Sequence, residues 1–369
     1  MLCTVREPAN AAAKLPPHID GSTGQQDKVT WVGPPGSRNP RPTRHETQPE
    51  TTMIILLTGT AAHSTTETFL DRDVEAVEHE TNGRVTRVAV DAFMPGMLAS
   101  AMQPFTPRTE KAASAIVARY GISERDTVWA YWANYVLSVG AAIKALTGCT
   151  LQVSAHANDV FVRTRLGAVP SSLVDKYLFC CAQTMSYAVQ RFHLPVDKVH
   201  PRPHSLPAMP RWSPPALSEL VVVNVARHVP KKNLGDVFSL VNDMARHANI
   251  PVRFIQIGVA PGSRLWRSCR TVTPESIERA AHAGVVSAMQ RSHLLVYGSR
   301  IARNGDRDGV PNVLREAAAL GLPTVYERGW ANNEVGFSGP SLMVGSLRER
   351  RGEIMRWFRG VYPAAFTER

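Results

Sequence analysis

Short apolar runs of strand length alternate with helix-like segments along most of this 369-residue chain. The first series of strand-like runs comprises Ile54–Leu57, Val85–Val90, Thr127–Tyr131, Leu151–Val153 and Tyr177–Ala182. The helix-like segments of this series are Glu67–Glu80, Lys111–Tyr120, Tyr135–Leu146 and Thr184–Phe192. Such alternation is typical of βαβ units, in which helices cover both faces of a parallel sheet.

A proline-rich join from Pro201 to Pro215 interrupts this pattern, which then begins again. The second series comprises strands at Leu220–Val225, Val252–Ile257, His293–Tyr297 and Thr324–Tyr326, and helices at Leu234–Arg246, Glu275–Met289 and Val313–Leu320. The sequence therefore predicts an α/β protein with two Rossmann-like, doubly wound domains that face a central cleft, where ligands of such sheets bind. We predict domains at residues 53–212 and 213–346, and a closing helix within 347–369.

Residues 1–52 are rich in Pro, Gly, Ser, Thr, Asn and Gln and keep no apolar period, so we predict a disordered tail. The sequence shows no membrane-spanning run and no secretory leader, which favours a cytoplasmic location. The 5 cysteines form no C-x-x-C pair, so buried small hydrophobic residues are expected rather than a disulfide framework.

The basic composition favours an anionic partner. A net charge of +11 and a pI near 9.7 suit nucleic acid, an acidic membrane face or a phosphorylated small molecule. Lys and Arg are dispersed and lack the interleaved aromatic residues of a single-strand binder, so nucleic acid is disfavoured.

The strongest local motif is the segment DGVPNVLRE from Asp308 to Glu316. It follows a predicted strand and begins a predicted helix, with Pro311 suited to the first helical turn. A helix N-terminus presents free amides and the positive end of its dipole to an anion such as a phosphate. The two carboxylates could therefore border one cleft. The alternative is that Asp308 caps the helix and Glu316 is solvated.

The stretch from Ser299 to Val325 resembles the E-x7-E region of family-four GT-B retaining glycosyltransferases, whose pattern is S…EGxPNVLLEAMAxGLPVV. The resemblance implies that Asp308 contacts the hydroxyls of the donor sugar and Glu316 the ribose of its nucleotide. The first position is Asp where the family has Glu. The resemblance also places a further group of residues in the donor site: Ser299, Gly309, Val310, Pro311, Asn312 and, in a glycine-rich loop, Gly258.

Other blocks resemble the same family in the same order. The segment NVARHVPKKN resembles GRLxxKKG, which implies that Arg227 and Lys232 grip the donor diphosphate. Two cations after a strand can neutralise a leaving pyrophosphate, although by themselves they are more often a solvated loop. The segment SAHANDVF resembles a TAHAxDIY block and implies that His156 lies near the reacting centre; a single His after a strand is otherwise usually structural. A SETFI-like start at Ser64 and an HGVD-like end at His204 complete the series.

The resemblance implies a retaining hexosyltransferase that moves a sugar from a nucleotide diphosphate sugar to a glycan, lipid-linked or small-molecule acceptor. Residues 53–212 would be the acceptor side and 213–346 the donor side. We predict no cofactor and no required metal, because GT-B enzymes stabilise the diphosphate with Arg, Lys and helix ends. The DxD strings Asp71–Asp73 and Asp306–Asp308 are therefore not interpreted as a metal site; the first lies in a helix, where side chains two residues apart diverge.

Other interpretations stay open. A catalytically degenerate GT-B domain could serve as a binding or scaffold protein. A nucleotide-sugar epimerase or a dinucleotide oxidoreductase could share the fold, although no G-x-G-x-x-G follows the first strand. The Arg-rich stretch Arg348–Arg359, with Trp357 and Phe358, would suit peripheral contact with an anionic membrane. We favour the alternative that it is a closing helix that crosses back onto the first domain.

Overall fold

The computed structural model describes residues 52–59, 68–94, 105–269 and 271–366. Nearly all of the predicted tail, and residues 64–67 of the SETFI-like block, lie outside the described residues. The described residues all belong to one unit, Glu50–Arg369.

The first half of this unit forms a six-stranded parallel sheet in the order β2-β1-β3-β4-β5-β6. Alternate residues of the first strand pack on opposite faces: Ile55 and Leu57 join one apolar cluster, and Ile54 and Leu56 join another. Helices therefore cover both faces. The strands are β1 (Ile54–Thr58), β2 (Val85–Ala89), β3 (Thr127–Ala130), β4 (Thr150–Ala155), β5 (Lys176–Phe179) and β6 (Val199–Pro201). The helices are α1 (Thr68–Thr81), α2 (Pro107–Tyr120), α3 (Tyr135–Thr147), α4 (Ala157–Phe161) and α5 (Ala182–Phe192).

The second half forms another six-stranded parallel sheet, in the order β12-β11-β10-β7-β8-β9. Its central strand again divides its side chains between two cores, with Leu220 and Val222 on one face and Val221 and Val223 on the other. The strands are β7 (Leu220–Val225), β8 (Val252–Ile257), β9 (Thr273–Ile277), β10 (Leu294–Tyr297), β11 (Thr324–Glu327) and β12 (Ser341–Val344). The helices are α6 (Leu234–His247), α7 (His282–Gln290), α8 (Asn312–Leu320) and α9 (Arg351–Val361).

These two sheets confirm the predicted α/β class and its two doubly wound halves. The sheets fall on either side of the predicted boundary at residue 212, and the exact boundaries stay predictions. Local sequence explains several helix ends. Helix α2 begins at a capping box between Thr106 and Thr109, with Pro107 as its first residue, and ends at Gly121, whose φ is 66°.

Two predicted elements differ from the structure, and some edge strands were not predicted. The run Tyr177–Ala182 is not one strand, because β5 ends at Phe179 and Ala182 begins α5. The predicted helix Glu275–Met289 is wrong over nearly its first half: Thr273–Ile277 form β9, and the helix begins at His282. Strand β9 lies at the sheet edge with no fully buried residue, so it lacks the apolar run that identified the central strands. The edge strands β6 and β12 were also missed; β6 has no buried residue and β12 has one, Val344.

The C-terminal helix α9 packs on the second domain. Its buried side chains Ile354 and Phe358 join the core beneath the second sheet, and Arg351 forms an ion pair with Asp243 of α6. We expected this helix to cross onto the first domain, but these contacts are with the second domain. They bury an apolar stripe against the core of the second sheet, which leaves the arginines Arg356 and Arg359 exposed.

Candidate functional site

A cavity of about 270 Å³ lies at the carboxyl ends of the second sheet. One wall comes from the first domain, through Phe69 of α1, and the remainder comes from loops after β7, β8, β9 and β10 and from α8. Seven of the predicted site residues line this cavity: Arg227, Lys232, Gly258, Asp308, Pro311, Asn312 and Glu316. Segments separated by up to about ninety residues in sequence are thus brought to one place.

Asp308 is the centre of a buried ionic cluster. Its carboxylate accepts hydrogen bonds from Lys232 Nζ at 2.8 Å and from the Tyr297 hydroxyl at 2.8 Å, and Lys231 Nζ lies 3.5 Å away. Burial acts to raise the pKa of Asp308, but the two lysines and the hydrogen bonds outweigh it and lower that pKa. Burial lowers the pKa of Lys232 more than Asp308 raises it. The carboxylate is therefore ionised and held by two cations.

Asp308 does not cap α8, since no side chain caps that helix. Pro311 occupies the N-cap position, one residue before the predicted first turn, and Asn312 begins the helix. The Oδ1 atom of Asn312 is buried without a hydrogen-bond partner in the described part of the chain. The first turn of α8 therefore brings unpaired backbone amides and a polar side chain to the cavity wall.

Glu316 lies on the side of α8 that faces the cavity and is only 4% exposed, so the solvated alternative is wrong. Its Oε1 atom is 3.0 Å from His282 Nε2 at the start of α7 and 3.7 Å from Arg72 of α1 in the first domain. A buried carboxylate needs such partners because isolated charge is costly away from water.

Gly258 explains why the loop after β8 can border the cavity. Its φ is +97°, and a Cβ atom at this position would lie 2.6 Å from the carbonyl oxygen of Ala226. Only glycine fits both restraints without strain. This close approach sets the loop directly beside the end of β7.

Three predicted residues, Ser299, Gly309 and Val310, do not line this cavity in the described structure. Ser299 is buried, and its backbone N–H donates to Glu327 Oε2 at 2.9 Å. Gly309 lies against the thiols of Cys180 and Cys181 of the first domain, 3.5 Å from where its Cβ would be. Gly309 thus contacts the first domain, and Ser299 is anchored near the start of the loop that leads to α8.

His156 also lies outside this cavity, at the end of β4 in the first domain. Its ring is buried and stacks on His204, with centroids 5.1 Å apart and planes at 4°. Burial, together with the neighbouring His204, holds the pKa of His156 well below its usual value, so the imidazole is neutral. Its Nδ1 atom has no hydrogen-bond partner among the described residues.

Near His156, several hydrogen bonds converge on a second buried carboxylate, that of Asp73. Asp73 of α1 accepts from His204 Nδ1 at 2.7 Å, from the Tyr131 hydroxyl at 2.5 Å and from the Ser205 amide at 2.9 Å. The backbone carbonyl of His204 in turn accepts from Arg315 Nη1 of α8 at 2.7 Å. His204 therefore links α1 to α8 across the join between the domains.

The two DxD strings have other partners than a metal ion. Asp71 pairs with Arg87 while Asp73 turns to His204, so these carboxylates diverge as predicted. Asp306 and Asp308 both face lysines, with Lys231 Nζ 3.0 Å from Asp306. Within the described ranges, no group of three or more His, Cys, Asp or Glu side chains is arranged to hold a metal ion. Nor does any helix in those ranges have the length and apolarity to cross a bilayer.

The motifs did not point to several residues of the site. Tyr297 and Lys231 complete the Asp308 cluster, and His282 and Arg72 hold Glu316. Tyr297 is the last residue of a predicted strand, and ligands of such sheets bind at the carboxyl ends of the strands. The sequence position of Tyr297 could therefore have indicated that it belongs to the site. No sequence pattern indicates Arg72, because its contact with Glu316 joins two domains that are far apart in the sequence.

No protein-family model matches the chain. No curated protein matches it either. Solved structures do match, and the two six-stranded parallel sheets of this chain agree with them. The chain has the GT-B fold.

Three of these structures indicate the breadth of the likeness. The lipopolysaccharide outer core galactosyltransferase WaaB in its apo form is 13% identical over 84% of this chain and 91% of WaaB, with a TM-score of 0.57. HepE from Anabaena in complex with UDP-glucose is 16% identical over 84% of this chain and 90% of HepE, with a TM-score of 0.56. A structure assigned as a UDP-N-acetylglucosamine 2-epimerase from Listeria monocytogenes is 10% identical over 84% and 88%, with a TM-score of 0.51. TarM is a longer protein, and the match with this chain spans 53% of its length. At such identities the GT-B likeness concerns the fold, and function must be argued from the site.

Proposed function

We propose that this chain is a nucleotide-sugar-dependent glycosyltransferase that transfers a hexose-type sugar with retention at the anomeric carbon. The observation that carries the proposal is the cavity in which the Lys232–Asp308 ion pair, the N-terminus of α8 and the buried carboxylate of Glu316 meet. Cations and a helix N-terminus suit a diphosphate, while carboxylates suit the hydroxyls of a ribose and a sugar. The matched HepE structure holds UDP-glucose, which supports a UDP-sugar donor.

Each side chain then has a role. Arg227, Lys231 and Lys232 hold the diphosphate and stabilise the negative charge that grows on it as the glycosidic bond breaks. Glu316 accepts the ribose hydroxyls, and Asp308 accepts hydroxyls of the donor sugar. His156, neutral at pH 7, hydrogen-bonds the sugar at the first-domain side of the cleft.

The reaction proceeds by front-face attack. The acceptor oxygen forms its bond to the anomeric carbon on the face from which the nucleoside diphosphate leaves, and the leaving β-phosphate takes the acceptor proton. No protein nucleophile is needed, and we propose that no metal or other cofactor is required. The acceptor would be a glycan, a lipid-linked sugar or a small molecule, and the cytoplasm, with peripheral membrane contact through the basic surface, is the proposed location.

A donor screen tests this proposal. Purified chain is incubated with UDP-, GDP- and ADP-glucose and with UDP-N-acetylglucosamine, and released nucleotide is measured with and without EDTA. We expect slow hydrolysis of one donor, unaffected by EDTA, with α-glucose as the first product by NMR. β-Glucose as first product would contradict retention, and turnover lost in EDTA and restored by Mn²⁺ would contradict metal independence.

A nucleotide-sugar epimerase is the second candidate, favoured by the matched Listeria monocytogenes structure. In the same screen, an epimerase would convert UDP-N-acetylglucosamine to its 2-epimer. Failure to bind or hydrolyse any nucleotide sugar would instead favour a degenerate GT-B domain with a scaffold role.

A further inference from the structure

Helix α1 of the first domain reaches into the cavity of the second. Phe69 lines the cavity, and one turn later the Arg72 guanidinium lies 3.7 Å from Glu316 Oε1. Both side chains of this pair are largely buried, with 14% and 6% of their surface exposed. At this separation the contact is an ion pair rather than a direct hydrogen bond, and burial weakens its screening by water and salt.

Arg72 and His282 approach the same oxygen of Glu316. His282 Nε2 lies 3.0 Å from Oε1, and the Arg72 contact is also to Oε1. A carboxylate offers about four acceptor positions on its two oxygens. The two contacts restrain the carboxylate at Oε1, so Oε2 is the oxygen that a ligand hydroxyl would meet.

We propose that Arg72 is a positioning residue for Glu316, so that the first domain contributes to binding of the donor nucleotide. The inference rests on the proposed function, in which Glu316 binds the ribose. It adds that a residue of the acceptor-side domain sets nucleotide affinity, although the nucleotide itself contacts the donor-side domain. By linkage, nucleotide binding then favours the arrangement of the domains in which Arg72 meets Glu316, by the same factor.

Other contacts also join the two domains, but they do not involve Glu316. Arg315 of α8 donates to the His204 carbonyl, and Glu334 accepts the amides of Ala182 and Gln183 at 2.9 and 2.8 Å. These contacts also join the two domains, but their partners do not include a residue proposed to bind the nucleotide. Loss of Arg72 should therefore leave the domains joined while releasing Glu316.

Calorimetric titration of UDP tests the proposal; GDP or ADP replaces it if the donor screen selects that base. Arg72→Gln should weaken nucleotide affinity about tenfold, because it leaves the buried Glu316 with one partner fewer. Arg72→Lys should recover part of the loss. The matched control is Arg87→Gln, which removes the more exposed ion pair that α1 makes through Asp71, and it should bind UDP like the wild type.

Kinetics separate positioning from general damage to the fold. Arg72→Gln should raise the donor KM about tenfold while kcat falls by less, since the contact acts on nucleotide binding. Wild-type affinity in Arg72→Gln would overturn the inference, as would an equal loss in Arg87→Gln.

A double-mutant cycle covers the case in which Arg72→Gln does not fold. In a Glu316→Gln background, Arg72→Lys should have no further effect on nucleotide affinity. A full additional loss there would mean that Arg72 acts elsewhere and would overturn the inference. If the wild type binds no nucleoside diphosphate, the proposed function itself fails; if it binds one and only the Arg72 effect is missing, this inference alone fails.

Discussion

Asp308 and Asp159 are buried carboxylates, one in each domain, and their pKa values are shifted in opposite directions. Burial raises the pKa of Asp159 to about 7, against the backbone amides of Ala133 and His156 that donate to it. Burial acts in the same direction on Asp308, but Lys232 and Lys231 outweigh it and lower the pKa of that group. At Asp159 the amide donors do not outweigh burial, whereas at Asp308 the two ammonium groups and the hydrogen bonds do.

The difference separates the two sides of the cleft by charge. On the first-domain side His156 is neutral, and Asp159, whose Oδ2 lies 3.9 Å from His156 Nδ1, has a pKa of about 7 and is therefore only partly ionised at pH 7. On the second-domain side the charges are permanent and paired. A neutral imidazole suits sugar hydroxyls, and the lysines around Asp308 suit a diphosphate. The predictions below test this division, beginning with the largest expected effect.

Lys232→Met should have the largest effect. The substitution keeps an unbranched side chain but removes the ammonium from both Asp308 and the proposed diphosphate, and we expect kcat/KM for donor hydrolysis to fall about 10³-fold. Lys198→Met is the matched control, because Lys198 donates to the carbonyls of Ser171 and Val174 within the first domain, away from the cavity. A comparable loss of kcat/KM in both variants, or no loss in Lys232→Met, would contradict the proposed role of the Lys232 ammonium.

Asp159 predicts a pH dependence of stability. Between pH 4 and about 7 the unfolded chain has an ionised Asp159, whereas the folded chain keeps this carboxyl protonated. Its contribution therefore falls as the pH rises through that window, by a few kcal/mol on the order of the pKa difference. In urea unfolding at a series of pH values, Asp159→Asn should remove this slope.

Asp126 is the control for that experiment. Burial would raise its pKa, but the amides of Ser123 and Met53 lower it. Its contribution is present above pH 4 and is lost only as the pH falls through the lowered pKa, so Asp126→Asn should keep the slope between pH 4 and 7. An unchanged slope in Asp159→Asn would show that Asp159 is ionised when folded.

Tyr297→Phe should have the smallest effect. It removes the hydroxyl that donates to Asp308, and we expect about a tenfold loss of kcat/KM because the two lysines still hold the carboxylate. Tyr177→Phe is the control: its hydroxyl is buried in the first domain with no hydrogen-bond partner in the described residues, so turnover should not change. A larger loss in Tyr297→Phe than in Lys232→Met would reverse the proposed order of importance.

Much of this organisation could be predicted from the sequence. The alternating apolar runs gave both sheets because central parallel strands are buried on both faces, as the five buried residues of Ile54–Thr58 show. The same reasoning failed at the edge strand Thr273–Ile277, which is half exposed. The segment from Asp308 to Glu316 could be placed at a helix start because Pro311 and the strand before it mark that boundary.

Contacts between the domains could not be predicted in this way. Asp73 and His204 are 131 residues apart, so no local pattern pairs them. Whether Arg72 turns to solvent or to Glu316 depends on how α1 meets α8, which local periodicity does not encode. Likewise Ser299, Gly309 and Val310 match the family motif but do not line the cavity in the described structure.

The most direct test of the central claim is calorimetric titration of UDP, GDP and ADP into the wild type and into Glu316→Ala, with the exposed Glu110→Ala as a matched control. The account predicts that the wild type and Glu110→Ala bind one nucleoside diphosphate with equal affinity. Glu316→Ala should bind that nucleotide at least about tenfold more weakly. A wild type that binds none of the three, or a Glu316→Ala chain with unchanged affinity, would contradict a nucleotide site at this cavity.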